Sequence, residues 1–272
     1  MATTQTAGTD TPDYATLSYE LTGGLAHVTL NRPERHNALD LAQGQDLEAV
    51  TARIAADPEV RAVLIDAEGK AFHVGGDLKY FAGAGDMAAA LRTLTALAHA
   101  AAERLSRGPA PVVIAVQGVA AGGGMSFVMG GDIVLAAQSA SFTMAYTAAG
   151  LTPDLSSTWY LPRLVGLRRA QELILTNRKL SAEEAKDWGL ITDVVADDEL
   201  ADTAIATARR LADGPTKAYA GVKSLLRSTF QQPLEAQMAD ESEMIARMAA
   251  TKDAQQGIAA FVAKEQPTFN GR

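Results

Sequence analysis

The sequence predicts an α/β fold that ends in a helical region, and three observations lead there. Short apolar runs of β type alternate with helical stretches through the first half of the chain. Two glycine-rich segments each fall between such a run and a helix. From Pro162 onward the pattern is mainly helical. A chain of 272 residues, 47% of them hydrophobic, can bury roughly three quarters of its unfolded surface, so its core needs no covalent staples.

Leu17 to Leu21 and Leu25 to Leu30 read as strands joined in a tight hairpin at Gly23-Gly24. Leu39 to Ala55 reads as a helix, because Leu41, Leu47, Val50 and Ile54 share one face. Asp57-Pro58 ends it, since a residue before proline avoids the α region. Val60 to Ile65 is a compact apolar strand, and Met87 to Leu105 is a long alanine-rich helix. Pro111 opens a strand at Val112 to Val116, which leads to Gly118 and then Gly122-Gly123-Gly124. A buried helix and a strand at Ile133 to Ala137 follow. The alternation indicates parallel pairing.

Beyond Asp154 a helix is expected at Leu155 to Leu164. Ser181 and Glu184 have capping-box spacing, Gly189 closes their helix, and Ile191 to Val195 is the last strand. Glu199 to Leu211, Thr216 to Ser228, Leu234 to Met248 and Asp253 to Val262 are expected as helices. No internal repeat or clear linker divides the chain. The expected organisation is a tail over 1–13, an α/β core over 14–200 and a helical region over 201–272.

Cysteine is absent, which excludes disulfides, thiolate zinc sites and a cysteine nucleophile, and is compatible with a reducing, cytoplasmic setting. Met1 to Asp13 has no basic start and no apolar run, so it is expected to be a floppy tail rather than a signal peptide or anchor. No apolar stretch approaches the roughly 20 residues of a spanning helix, so no membrane partner is expected. A net charge of −8 argues against nucleic acid as a partner and requires any phosphate-bearing ligand to find basic residues gathered locally. No spacing of His, Asp and Glu suggests a metal site.

The two glycine segments are Ala71-Phe72-His73-Val74-Gly75-Gly76-Asp77-Leu78-Lys79 and Gly118-Val119-Ala120-Ala121-Gly122-Gly123-Gly124-Met125. Glycine at a strand-to-helix junction lets the backbone approach a ligand and present N–H groups to it, and the helix N-terminus adds partial positive charge. Neither segment has the spacing of a dinucleotide fingerprint or a Walker loop. Taken singly, each is also what a plain tight turn looks like.

Taken together with Asn31-Arg32-Pro33-Glu34-Arg35-His36-Asn37-Ala38-Leu39, and with Leu180 to Ala185 followed by Trp188-Gly189-Leu190-Ile191, they resemble the successive signatures of the crotonase (enoyl-CoA hydratase/isomerase) superfamily. The resemblance runs in order from about Leu17 to Phe269. It implies a ββα-spiral core with a helical C-terminal trimerisation region, a homotrimer or homohexamer, and an acyl-CoA thioester substrate. Coenzyme A would come as part of that substrate, with no permanently bound cofactor. The resemblance also implies an oxyanion hole made by the N–H groups of Gly76 and Gly123. It places adenine against the backbone at Val74, Arg35 and Lys264 near the phosphates (Lys264 often reaching from a neighbouring subunit), and Phe261 against coenzyme A. His36, Ala38, Gly75, Asp77 and Leu78 complete this expected binding set. Solvated charge is the plainer reading of Arg35 and Lys264, and core packing that of Phe261.

Hydration of an enoyl thioester needs two acid–base groups. In hydratase-like members both are glutamates, and their positions fall on Ser126 and Tyr146 here. Serine is a poor base, and a tyrosine of pKa near 10 is seldom an anion, so a plain hydratase is not expected. Asp154, in Gly150-Leu151-Thr152-Pro153-Asp154, has two readings. It can cap the helix that follows, or it can be the catalytic aspartate that several crotonase-type isomerases carry there, among them the ring-opening isomerase of phenylacetyl-CoA degradation. Phe142 to Tyr146, Thr158 to Arg163 and the tail around Phe261 to Lys264 and Pro267-Thr268-Phe269 match that pattern. One carboxylate suffices to move a double bond, so an enoyl-CoA isomerase is the leading expectation.

His99 lies where 4-chlorobenzoyl-CoA dehalogenases of the superfamily carry an essential histidine, with Asp154 matching their nucleophile and Tyr146 replacing their tryptophan. A helix residue without a catalytic role is the plainer reading of His99. Another CoA-ester hydrolase, or a binding subunit without turnover, stays open. His27 is expected in a strand. His73 is expected to pack or to narrow the acyl pocket.

Overall fold

The computed structural model describes residues 14–271, so the expected tail over 1–13 lies outside the described residues. Strands β1 (Leu17–Thr22) and β2 (Leu25–Leu30) form the expected antiparallel hairpin. Gly23 and Gly24 turn it with φ of 57° and 80°, the pair of positive values that a tight two-residue turn needs. Helix α1 spans Leu41–Ala56 and starts two residues later than expected, because Asp40 caps it by accepting from Gln43 N at 3.1 Å. Leu39, freed from the helix, pairs with Gly76 in a single parallel bridge.

Strand β3 (Ala62–Ala67) begins two residues later than expected and leads to β4 (Ala71–His73), the short helix α2 (Leu78–Ala82) and the long α3 (Met87–Arg107). Next come β5 (Val112–Val116), β6 (Val119–Ala121), the six-residue helix α4 (Gly123–Val128), β7 (Ile133–Ala137) and β8 (Ser141–Thr143). Helices α5 (Ser157–Val165) and α6 (Leu167–Thr176) precede β9 (Leu180–Ser181), α7 (Ala182–Asp187) and β10 (Asp193–Val195). The capping box at Ser181 and Glu184 is present. Strand β10 is shorter than expected: Ile191 is buried but lies in the turn before it. The chain ends in α8 (Leu200–Ala212), α9 (Thr216–Ser228), α10 (Leu234–Ala249) and α11 (Lys252–Ala263).

Two sheets result. The larger has the order β1-β2-β3-β5-β7-β10 and is parallel from β2 onward. Every residue of β5 is buried, as expected of a parallel strand covered on both faces. Helix α8 packs on β3 and β5, so the cover of this sheet extends past residue 200. The smaller sheet has the order β4-β6-β8-β9, and β4, β6 and β8 run parallel. Their C-terminal ends therefore lie side by side, and the first two lead directly into the two glycine turns.

Helices α9 to α11 bury little of themselves. Leu226, Phe230, Leu234, Met238, Ile245 and Ile258 are exposed on the single chain. The C-terminal strand of coil folds back, where the buried Asp253 accepts from Asn270 N and Gly271 N at 2.8 Å each. Among the described residues no helix is long and apolar enough to cross a membrane.

Candidate active site

The glycine turn after β4 is shaped by its neighbours on both sides. Leu39 N donates to Gly75 O and Asp77 N donates to Leu39 O, both at 2.8 Å. In a parallel bridge of this kind the central residue's own N–H faces away from the partner, so Gly76 N–H points off the bridge. It meets no acceptor among the described residues. Gly75 has φ 86°, which disfavours any side chain. His73 stabilises that conformation: its Nδ1 accepts from Gly75 N at 2.9 Å. The ring is 2% exposed, and burial lowers its pKa to about 4, so it is neutral with the proton on Nε2. His73 thus packs, as expected, and also ties down the loop.

The turn after β6 brings Gly123 to the first position of α4, where backbone N–H groups have no partner within the helix. Gly122, at φ 52°, gives its N–H to Thr143 O, whereas Gly123 N–H has no acceptor among the described residues. The two turns touch. A Cβ added to Gly75 would stand 2.9 Å from Gly123 N, and one added to Gly123 would stand 3.5 Å from Gly75 Cα. Gly75, Gly76, Gly122 and Gly123 all line one chamber of about 140 Å³, whose remaining wall is largely apolar, with Phe81, Leu91 and Leu94 among its residues.

Asp154 and Tyr146 also face this chamber. The Asp154 side chain does not cap the helix that follows. Helix α5 starts at Ser157 rather than Leu155, its N-cap is Ser156, and no side chain caps it. Leu155 and Ser156 take φ of 50° and 61°, which breaks the helical path and separates Asp154 from α5. Its carboxylate Oδ1 accepts from the Tyr146 hydroxyl, and Oδ2 accepts from none of the described residues. Ser126 Oγ lies 2.9 Å from the Tyr146 hydroxyl and 3.2 Å from Gly122 O. An ionised carboxylate only accepts, so Tyr146 gives its proton to Asp154, and Ser126 gives its own to either Tyr146 or Gly122. Burial, and then the adjacent Asp154 charge, raise the Tyr146 pKa well above the ordinary phenol value. Tyr146 is a donor here and stays protonated.

His99, on α3, is absent from this chamber. Its Nε2 accepts from Leu155 N at 3.1 Å, and it lines a separate cavity of about 500 Å³.

A family model described as Enoyl-CoA hydratase/isomerase matches residues 20–272. The chain belongs to that family. A Rhodobacter capsulatus protein named "Probable enoyl-CoA hydratase" is 40% identical, over 95% of this chain and 99% of its own length. The 1,2-epoxyphenylacetyl-CoA isomerase of Escherichia coli is 38% identical, over 92% of this chain and 96% of its own. A 4-chlorobenzoyl coenzyme A dehalogenase from Arthrobacter is 35% identical over 80% of each chain. The crystal structure of an enoyl-CoA hydratase from Bacillus anthracis superposes with a TM-score of 0.89 at 32% identity, over 94% of this chain and all of that one. The crotonase-type spiral expected from the sequence is therefore the fold, and the chain is an acyl-CoA-processing member of this family. The relatives carry hydratase, isomerase and dehalogenase names alike.

The residues expected at coenzyme A fall into two groups. Val74, Gly75 and Leu78 line the glycine chamber, and Leu78 is 62% exposed at its rim. Arg35 is already paired, with Asp77 at 3.2 Å and Asp40 at 3.7 Å, and Asp77 also caps α2 through Lys79 N and Tyr80 N. His36 is exposed at φ 53°, and Ala38 is buried beside the bridge residue Leu39. Phe261 is exposed, not core, at the end of α11, and Lys264 caps that helix in the left-handed conformation. The single chain brings neither to the chamber.

Sequence reasoning missed Asn37. It is fully buried, donates to Glu68 O and Ala71 O at 3.0 Å each, accepts from Arg32 N at 2.7 Å, and so ties the Asn31–Leu39 loop to the turn before β4. An asparagine in a proline-containing loop was the available signal, because asparagine tolerates the left-handed conformation that it holds here at φ 55°. His27 pairs with Asp66 at 2.7 Å across β2 and β3, and that hydrogen bond raises its pKa.

Proposed function

We propose that this chain is an enoyl-CoA isomerase in which Asp154 is the single acid–base group and the N–H groups of Gly76 and Gly123 form the oxyanion hole. One observation carries the reading: the Asp154 carboxylate, with one oxygen held by Tyr146 and the other accepting from none of the described residues, lines the chamber that both glycines line. The positions of the two hydratase glutamates are filled by Ser126 and Tyr146, which are bonded to each other, so a second base is lacking.

The substrate is a β,γ-unsaturated acyl thioester of coenzyme A, which arrives and leaves with the acyl group. Asp154 takes the α-proton. The C–H electron pair forms a double bond between Cα and the carbonyl carbon, the carbonyl π pair moves onto the thioester oxygen, and with the β,γ double bond still in place the result is a dienolate. Gly76 N–H and Gly123 N–H donate to that oxygen. Loss of one such donor typically costs about 3 kcal/mol, a hundredfold or more in rate. Asp154 then returns the proton to Cγ: the β,γ pair takes it, the pair between Cα and the carbonyl carbon becomes the α,β double bond, and the oxygen's pair restores the carbonyl, so substrate and product have the same atoms. Because charge is spread from Cα to Cγ, one base serves both carbons. The exposed apolar residues of α9 to α11 support association into a homotrimer or homohexamer, with Phe261 and Lys264 at a neighbouring subunit's coenzyme A. The absence of cysteine supports a cytoplasmic setting.

The test is turnover of a 3-enoyl-CoA panel, followed by the absorbance of the conjugated thioester and by product mass. Conjugation without added water is expected, with Asp154→Asn at least about a thousandfold slower. A product heavier by one water, chloride release from 4-chlorobenzoyl-CoA, tight binding without turnover, or full activity of Asp154→Asn would each overturn the assignment.

A further inference from the structure

Asp154 reaches the chamber because the two residues after it leave the helical path. Leu155 and Ser156 both hold positive φ, a conformation that L side chains disfavour. Neither is glycine, so something outside the turn must hold it. On the far side, Ser157 N and Ser157 Oγ donate to Asp154 O at 3.1 and 2.8 Å, and Ser156 O accepts from Trp159 N and Tyr160 N at 2.9 and 3.0 Å, while the Leu155 side chain is buried, which leaves the Leu155 amide to be held. The only described group that holds the intervening Leu155 amide is the imidazole of His99, at 3.1 Å.

A backbone N–H can donate to Nε2 only when that nitrogen carries no proton, so the ring holds its proton on Nδ1. His99 sits on α3, which Leu94, Ala98, Ala101 and Leu105 anchor in the core, so the acceptor stands on a rigid element. The ring lines the cavity of about 500 Å³ behind Leu155, and neither Asp154 nor either oxyanion glycine belongs to that cavity. Leu155 is the wall between the two spaces and lines both.

The geometry points to His99 as a positioning residue that holds the Leu155 amide and thereby the left-handed turn that directs Asp154 into the glycine chamber. It acts on the reaction through the backbone and touches no reacting atom. The effect on rate rests on the proposed role of Asp154, while the hold on the turn does not.

The experiment uses the full-length protein and a 3-enoyl-CoA. His99→Ala should lower kcat by about a hundredfold, the scale of a small misplacement of a reacting group, with KM within about twofold. His99→Gln, whose side-chain oxygen can accept from the same amide, should keep most of the activity. Ser156→Gly added to His99→Ala should recover part of kcat, because glycine takes positive φ without an outside hold. Hydrogen exchange at the Leu155 amide should speed up in His99→Ala and not in Asp154→Asn.

The inference is overturned if Leu155 keeps its protection in His99→Ala. It is equally overturned if His99→Gln is as slow as His99→Ala and Ser156→Gly recovers nothing, since the histidine would then be moving a proton itself. Should Asp154→Asn retain activity, the proposed base fails, and the exchange comparison still decides whether His99 holds the turn.

Discussion

His73 should give the fold a measurable dependence on pH. Its ring is 2% exposed, its pKa is lowered from 6.5 to about 4 by burial, and its Nδ1 must stay bare to accept from Gly75 N. Between about pH 4 and 6.5 the unfolded chain binds a proton at this histidine that the native protein does not. Stability therefore rises with pH across that window and falls as acid is added. For these two values the loss relative to neutral pH is about 1.4 kcal/mol at pH 5.5 and about 2.5 kcal/mol at pH 4.5.

The perturbation is His73→Asn, which keeps an acceptor close to the Nδ1 position and removes the titration. The variant leaves a small void and should be less stable at pH 7.5. The informative quantity is the difference between the two proteins. Urea unfolding at pH 7.5, 5.5 and 4.5 measures it, and the gap should narrow by about 2.5 kcal/mol on going to the lowest pH. Carboxylates, and His27 with its raised pKa, titrate in both proteins and cancel. A gap that stays constant would refute the buried neutral histidine, and with it the account of how the Gly75 turn is held.

Three further substitutions probe the glycine junction, the Gly150 corner and the carboxylate. An alanine at Gly124 would overlap the carbonyl oxygen of His73 and stand 2.6 Å from its carbonyl carbon. Gly124→Ala should thus cost more than the ~1–3 kcal/mol of ordinary overpacking in thermal or urea unfolding. Gly150→Ala, at φ 71° with open space around it, should cost only about 1–2 kcal/mol of backbone strain. Tyr146→Phe removes the donor to Asp154, a charge-assisted bond of about 1.5–3 kcal/mol. It should lower kcat by roughly 10- to 100-fold with little change in KM, and an unchanged kcat would make the tyrosine a spectator.

What could be read from the sequence was whatever local chemistry decides. The Gly23-Gly24 hairpin, the capping box at Ser181 and the bounds of α9 were legible because turn residues, caps and apolar period act within a few positions. The two glycine segments were legible as junctions for the same reason. The misplaced start of α1 has a local cause in the Asp40 cap and a long-range one as well. Leu39 left its helix to pair with Gly76, a partner distant in sequence. The Asp154 cap reading was locally sound, and it failed because Tyr146 and His99 bind on either side of the turn. Likewise, nothing in the sequence around His73 or Ser126 shows that one fastens a loop and the other closes a hydrogen-bonded row.

The adjacency of β4 and β6 has a consequence for how this family can vary. Because the strands advance in the same direction, one residue inserted into either strand would carry its glycine turn about 3.3 Å along the sheet relative to the other and present the opposite face of the pleat. Both donors would be lost together, whatever side chains surround them. A length change within Ala71–His73 or Val119–Ala121 would thus draw the two glycine turns apart, whereas the exposed Gly150 corner lies outside both strands and can change length without moving either.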